Sequence, residues 1–150
     1  MSEEEGISGV KVGEKFVSPG RTITEADIVM FAALTGDWTE LHTNSEYAKK
    51  TIFGQRIAHG LLTLSVASGL ALRARRTTGL EIMAFLGLDN VRLTAPVFIG
   101  DTIWVESEVV EARPSRSRPG AGIIRFRNVV KKQGGEVVAT YDTAIMVRIA

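Results

Sequence analysis

From Ile57 to Leu72 the chain reads IAHGLLTLSVASGLAL, without a single charged side chain. A segment this apolar on every side has to be covered. It falls short of the ~20 residues that a bilayer-spanning helix needs, and it carries His59, Thr63, Ser65 and Ser68. It therefore reads as a helix, from about His59 to Arg76, buried inside a soluble domain. What covers it follows downstream. Ile103, Val105, Ser107 and Val109 alternate with Trp104, Glu106 and Glu108, a period of two that marks a half-buried strand. The same period recurs at Ile124, Phe126, Asn128 and Val130, and again from Val137 to Ile149. Gly134-Gly135 between these last runs signals a hairpin, which makes them antiparallel neighbours. Ile82 to Leu93 is a further, more apolar strand ended near Pro96.

Upstream, Glu14 to Ile23 is a weak strand interrupted by the turn-forming pair Pro19-Gly20. Thr24, with Asp27 three residues on, has capping-box spacing. Ile28, Phe31, Ala32 and Thr35 then form one core-facing helical stripe, and Gly36 is a natural stop. A short helix starting at Thr43 or Asn44 takes in Tyr47 and Ala48. The order strand, helices, four strands, with no repeat and no linker, predicts an α+β chain organised as one domain over residues 1–150. In it an antiparallel sheet of about five strands faces one long helix.

Composition removes whole classes of chemistry. With no cysteine there is no disulfide, thiolate metal site or cysteine nucleophile, and a reducing compartment suits the chain. The start Met1-Ser2-Glu3-Glu4-Glu5 lacks the basic and apolar regions of a secretory signal, so a cytoplasmic location is expected. A net charge of +1 argues against a globally basic nucleic-acid binder. That neutrality hides a basic stretch: Arg113, Arg116, Arg118, Arg125, Arg127, Lys131 and Lys132 follow one another with no acid between the first and the last. It reads first as a solvated hairpin face around a Pro/Gly loop at residues 114–122, and second as a phosphate-binding rim. Arg73, Arg75 and Arg76 end a helix, where cations are expected.

No P-loop, GxGxxG, HExxH or GxSxG is present, and His42 and His59, well separated and with no cysteine, make a poor metal site, so neither metal nor cofactor is expected. What remains is Thr35-Gly36-Asp37-Trp38-Thr39-Glu40-Leu41-His42. On one continuous helix Asp37 and His42 would point about 140° apart, so they converge only on a loop. A carboxylate and an imidazole brought together can hold a water and move its protons near neutral pH. The plainer alternative is a loop-capping aspartate and a surface histidine. His59-Gly60 sits where the apolar helix begins, and a helix-start N–H can face a developing oxyanion. Close packing at a helix start explains the same glycine.

Asp37-Trp38-Thr39-Glu40-Leu41-His42, followed by Phe53-Gly54 and Ile57-Ala58-His59-Gly60-Leu61-Leu62, resembles the hydratase motif of the MaoC-like family, which includes the (R)-specific enoyl-CoA hydratases. The likeness extends from about Phe16 to Val147. It implies the hotdog fold, a sheet wrapped around a central helix, and a homodimer with an acyl-CoA thioester bound near the subunit interface. It further implies that Asp37 and His42 hold the water that adds to a trans-2-enoyl thioester. Gly60 N–H would polarise the thioester carbonyl, and Ser68 matches a serine that supports the pair. The commonest motif has Asn-Pro where Thr39-Glu40 stand, which bears on substrate preference. Hydration of enoyl-CoA to the (3R)-alcohol is the leading expectation. Dehydration of hydroxyacyl groups on a carrier protein and non-catalytic binding of acyl-CoA are the alternatives.

Overall fold

The computed structural model describes residues 6–149, so the acidic start at residues 1–5 lies outside the described residues. Its elements, in chain order, are β1 (Lys15–Val17), β2 (Arg21–Thr22), α1 (Glu25–Thr35), α2 (Glu40–Thr43), α3 (Ser45–Ala48), α4 (Gly60–Ala74), β3 (Ile82–Leu93), β4 (Thr102–Pro114), β5 (Ala121–Lys132) and β6 (Val137–Arg148). The four long strands form an antiparallel sheet in the order β4-β5-β6-β3, and β1 and β2 both pair with β4 along its other side. β1 and β2 are therefore one edge strand broken at Pro19-Gly20, as the sequence predicts, and the sheet is five positions wide.

Local chemistry sets the element ends. Thr24 and Asp27 close a reciprocal capping box at the start of α1, and Gly36 ends that helix at φ 78°, a left-handed conformation that costs glycine nothing. Asn44 caps α3 through the Tyr47 N–H. The β5–β6 hairpin turns through Gly134 and Gly135.

The sheet curls over α4. Leu62, Leu64, Ala67, Leu70 and Ala71 pack into a core with Ile28 of α1 and with Ile103, Val105, Val130, Val138 and Tyr141 of the sheet. Each fully buried Leu or Val contributes about 1.5–3 kcal/mol. A smaller cluster, Val109, Ile124, Phe126, Ile145 and Val147, is covered by Ile7 and Val10. Between them lies a buried polar knot. Asn128 accepts from the Ser107 hydroxyl at 2.5 Å and donates to the Thr143 hydroxyl at 2.9 Å and the Tyr141 carbonyl at 3.3 Å.

Two readings are refined. The apolar helix is not buried all round: Leu61 is 66% and Leu72 48% exposed, because one chain supplies a sheet for only one side of α4. The basic stretch is largely neutralised across the sheet. Arg113 and Arg125 pair with Glu111, Arg125 also with Asp89, Arg127 with Asp142, Lys131 with Glu106 and Lys132 with Asp101. Apart from Glu111 and Arg113, two residues apart on β4, these pairs join acids and bases far apart in the chain, which a linear charge count cannot register. Among the described residues no helix is long and apolar enough to cross a membrane.

Candidate active site

Asp37 stands on the short link between α1 and α2. The loop is tied down at both sides: the Asp37 N–H donates to the Thr35 hydroxyl, and the Thr39 hydroxyl and N–H both donate to Asp37 Oδ1, at 2.5 and 3.2 Å. Those donors, the Thr39 hydroxyl foremost, hold the Asp37 carboxyl below the usual carboxylate range, and the two nearby imidazoles add to the effect. Thr39 is also the N-cap of α2 but gives that helix no side-chain cap, because its hydroxyl serves Asp37.

His42 lies on α2, a single turn, and not on an open loop as expected. The chain changes direction at Thr39, whose extended conformation (φ −50°, ψ 133°) interrupts the continuous helix that would have turned Asp37 and His42 away from each other. The His42 Nδ1 lies 2.8 Å from the Ile57 carbonyl. A carbonyl only accepts, so Nδ1 carries the hydrogen and Nε2 of the neutral ring keeps its lone pair.

The histidine without an assigned role also belongs here. His59 is buried, its Nε2–H donates to the Asp37 backbone carbonyl at 3.0 Å, and its ring stacks on His42 with centroids 3.9 Å apart. Phe31 packs against the same ring at 4.9 Å. Asp37, His42 and His59 thus each bring a donor atom within 4.8 Å of the others, although the two histidines are well separated along the chain. Each ring gives one N–H to a carbonyl and keeps a lone pair on its other nitrogen, Nε2 in His42 and Nδ1 in His59, and Nδ1 of His59 is buried without a partner among the described residues. In the sequence, the signal for His59 is its place at the helix start, just after Ile57, whose carbonyl holds His42.

Gly60 opens α4 beside this group, in the first turn, where backbone N–H groups have no acceptor within the helix. A Cβ there would overlap Leu93 Cδ1, so the Leu93 side chain would have to move to admit one. Gly60, Phe53, Ile57 and Leu93 line a cleft of about 270 Å³ next to the pair. The Asn44 side-chain amide donates to the Glu40 carboxylate at 3.0 Å. Ser68 is not brought to the pair within one chain. It lies two turns farther along α4, roughly 12 Å from Gly60 at 1.5 Å per residue, and lines a separate cleft with Arg75 and Tyr141.

An antiparallel sheet curled over one long helix is the hotdog fold, and comparison with known proteins agrees on that fold. A double-hotdog protein of Mycobacterium tuberculosis superposes with a TM-score of 0.83 at 20% identity, covering all of this chain and 46% of that one. A solved structure from Archaeoglobus fulgidus, described as a monoamine oxidase regulatory protein, superposes with a TM-score of 0.86 at 39% identity over 97% of this chain and 95% of that one. In sequence, the chain is 41% identical to protein MaoC of Klebsiella aerogenes over 64% of its length, and spans only 28% of that protein. It is 33% identical to an (R)-specific enoyl-CoA hydratase of Rhodospirillum rubrum, over 92% of this chain and 88% of the relative. The family model described as "MaoC like domain" matches residues 8–141. The chain belongs to the MaoC-like family.

Proposed function

We propose that this protein is an (R)-specific hydratase of trans-2-enoyl-CoA thioesters, working reversibly in the cytoplasm without metal or redox cofactor. The observation that carries the reading is the paired fixation of Asp37 and His42: one carboxylate held ionised by Thr39, and one imidazole whose free Nε2 is set by the Ile57 carbonyl. A water between them would lose a proton to this pair as its oxygen bonds to C3 of the enoyl group. The pair would then return a proton to C2, so that one water supplies both the hydroxyl and the hydrogen. Gly60 N–H would carry the negative charge that develops on the thioester oxygen. The same residues serve dehydration in reverse, and the direction is set by substrate and product levels.

A homodimer completes this reading. β3 is the sheet's open edge, and Phe85, Leu86, Leu88 and Leu93 on it are 41–58% exposed, beside the bare stripe of α4. A long apolar edge of this kind calls for a partner. A second copy related by a two-fold axis across β3 would cover both, and would bring one chain's Ser68 toward the other chain's catalytic pair.

Asp37→Asn and His42→Gln should each lower kcat by roughly 10²–10⁴-fold with the fold unchanged, read by loss of the conjugated thioester absorbance. Wild-type protein inert on enoyl-CoA of every chain length, with tight acyl-CoA binding unaffected by Asp37→Asn, would support a binding module instead.

A further inference from the structure

Of the three cations expected at the end of the apolar helix, Arg73 and Arg76 are exposed, whereas Arg75 turns inward and is 7% exposed. Its guanidinium lies over the Phe126 ring, 3.8 Å from the centroid. Among the described residues its Nη1 has no hydrogen-bond partner and no carboxylate pairs with it; the hydroxyl of Tyr141, a residue only 2% exposed, is likewise unpartnered. Both residues line the cleft of about 120 Å³ that Ser68, Leu72, Ile82 and Phe85 also form. A buried guanidinium without a counter-charge and a buried phenol without an acceptor are each costly to maintain. Burial lowers Arg75 to about 10 and raises Tyr141 to about 12, so at neutral pH the guanidinium stays charged and the phenol stays protonated. The cleft therefore offers a positive charge with no counter-charge, beside the hydroxyls of Tyr141, Ser68 and Thr143, in walls that are otherwise apolar.

We propose that this cleft receives the far end of the acyl chain and selects substrates whose chain ends in a carboxylate, held by Arg75 and Tyr141. The proposal rests on the hydratase and dimer reading above. Ile82 and Phe85 stand at one end of β3, and Leu93, packed on Gly60, at the other. Antiparallel pairing of two β3 strands about a two-fold axis puts the Arg75 cleft of one chain beside the catalytic end of its partner. An acyl chain whose thioester sits at that catalytic end then extends into the cleft. A methyl terminus there would leave the guanidinium and phenol unpaired, and a carboxylate would satisfy both with charge-assisted bonds.

Binding of saturated thioesters tests the proposal apart from turnover. Affinities of succinyl-, glutaryl-, adipyl- and suberyl-CoA are measured by calorimetry against butyryl-, valeryl-, hexanoyl- and octanoyl-CoA. At the best-fitting length the carboxylate ester should bind roughly tenfold tighter or more. Arg75→Met should abolish that preference while retaining the alkanoyl esters, and Tyr141→Phe, which keeps the ring, should weaken it severalfold. Equal or weaker binding of the carboxylate series at every length, or a preference untouched in both variants, overturns the proposal. Failure of the hydratase reading shows separately, as absence of turnover on the matching 2-enoyl esters while the binding preference persists.

Discussion

Thr39 gives both its hydroxyl and its backbone N–H to Asp37, and this contact lies where the sequence departs from the commonest form of the motif. Because the Asp37 carboxyl is held below its ordinary value of 3.8, the contact stabilises the folded chain above the unfolded carboxyl's pKa, and this gain is lost as pH falls through the lower, folded value. Thr39→Val should therefore move the Asp37 carboxyl titration, followed by carbon NMR, upward toward its ordinary value, and Thr39→Ser should leave it in place. An unmoved midpoint in Thr39→Val would assign the depression to the backbone N–H of residue 39, which valine keeps, and to the two histidines. The motif alone is enough to name Asp37, His42 and Gly60 as candidates. Their geometry is not legible there, because the turn at Thr39 and the His42–His59 stack join residues through contacts that spacing does not encode. Arg75 reads like its neighbours as a helix-end cation, since nothing in a linear sequence says which of three arginines faces inward.

The strands declare themselves through alternation, and β3, β5 and β6 lie where the period-two and apolar runs put them, with ends moved by up to three residues. The ends shift because strand pairing carries β4 and β5 past the last alternating apolar residue, to Pro114 and Lys132. Asn128 is the element-scale exception, a polar residue at an inward position whose partners, Ser107 and Thr143, come from both flanking strands. Asn128→Leu would leave two buried hydroxyls and the Tyr141 carbonyl without this partner. It should cost about 2–4 kcal/mol in urea unfolding, and a loss under about 1 kcal/mol would mean that the knot is dispensable. The ion pairs that Arg113, Arg125 and Lys131 make are more exposed, and each is worth at most about 1 kcal/mol, whereas Lys132 and Asp101 are buried together.

At the scale of the molecule, one chain leaves the apolar helix half covered and the β3 edge open, and here sequence reading reaches its limit. A run without charge predicts burial, but it cannot say whether its own chain or a second copy provides the cover. The expected solution species is a dimer of the 16.3-kDa chain, and Leu86→Lys on β3 should give a monomer by light scattering with its circular dichroism unchanged and its activity lost. A monomeric wild type with full activity would remove the dimer from the account. The central claim is that Asp37 and His42 add water to one face of an enoyl thioester, and chiral analysis of the product tests it most directly. Purified protein incubated with trans-2-enoyl-CoA esters, both alkyl and carboxylate-ended, should yield the (3R)-3-hydroxyacyl ester, and Asp37→Asn and His42→Gln should abolish it. Formation of the (3S) product, or hydration that survives both substitutions, would contradict it.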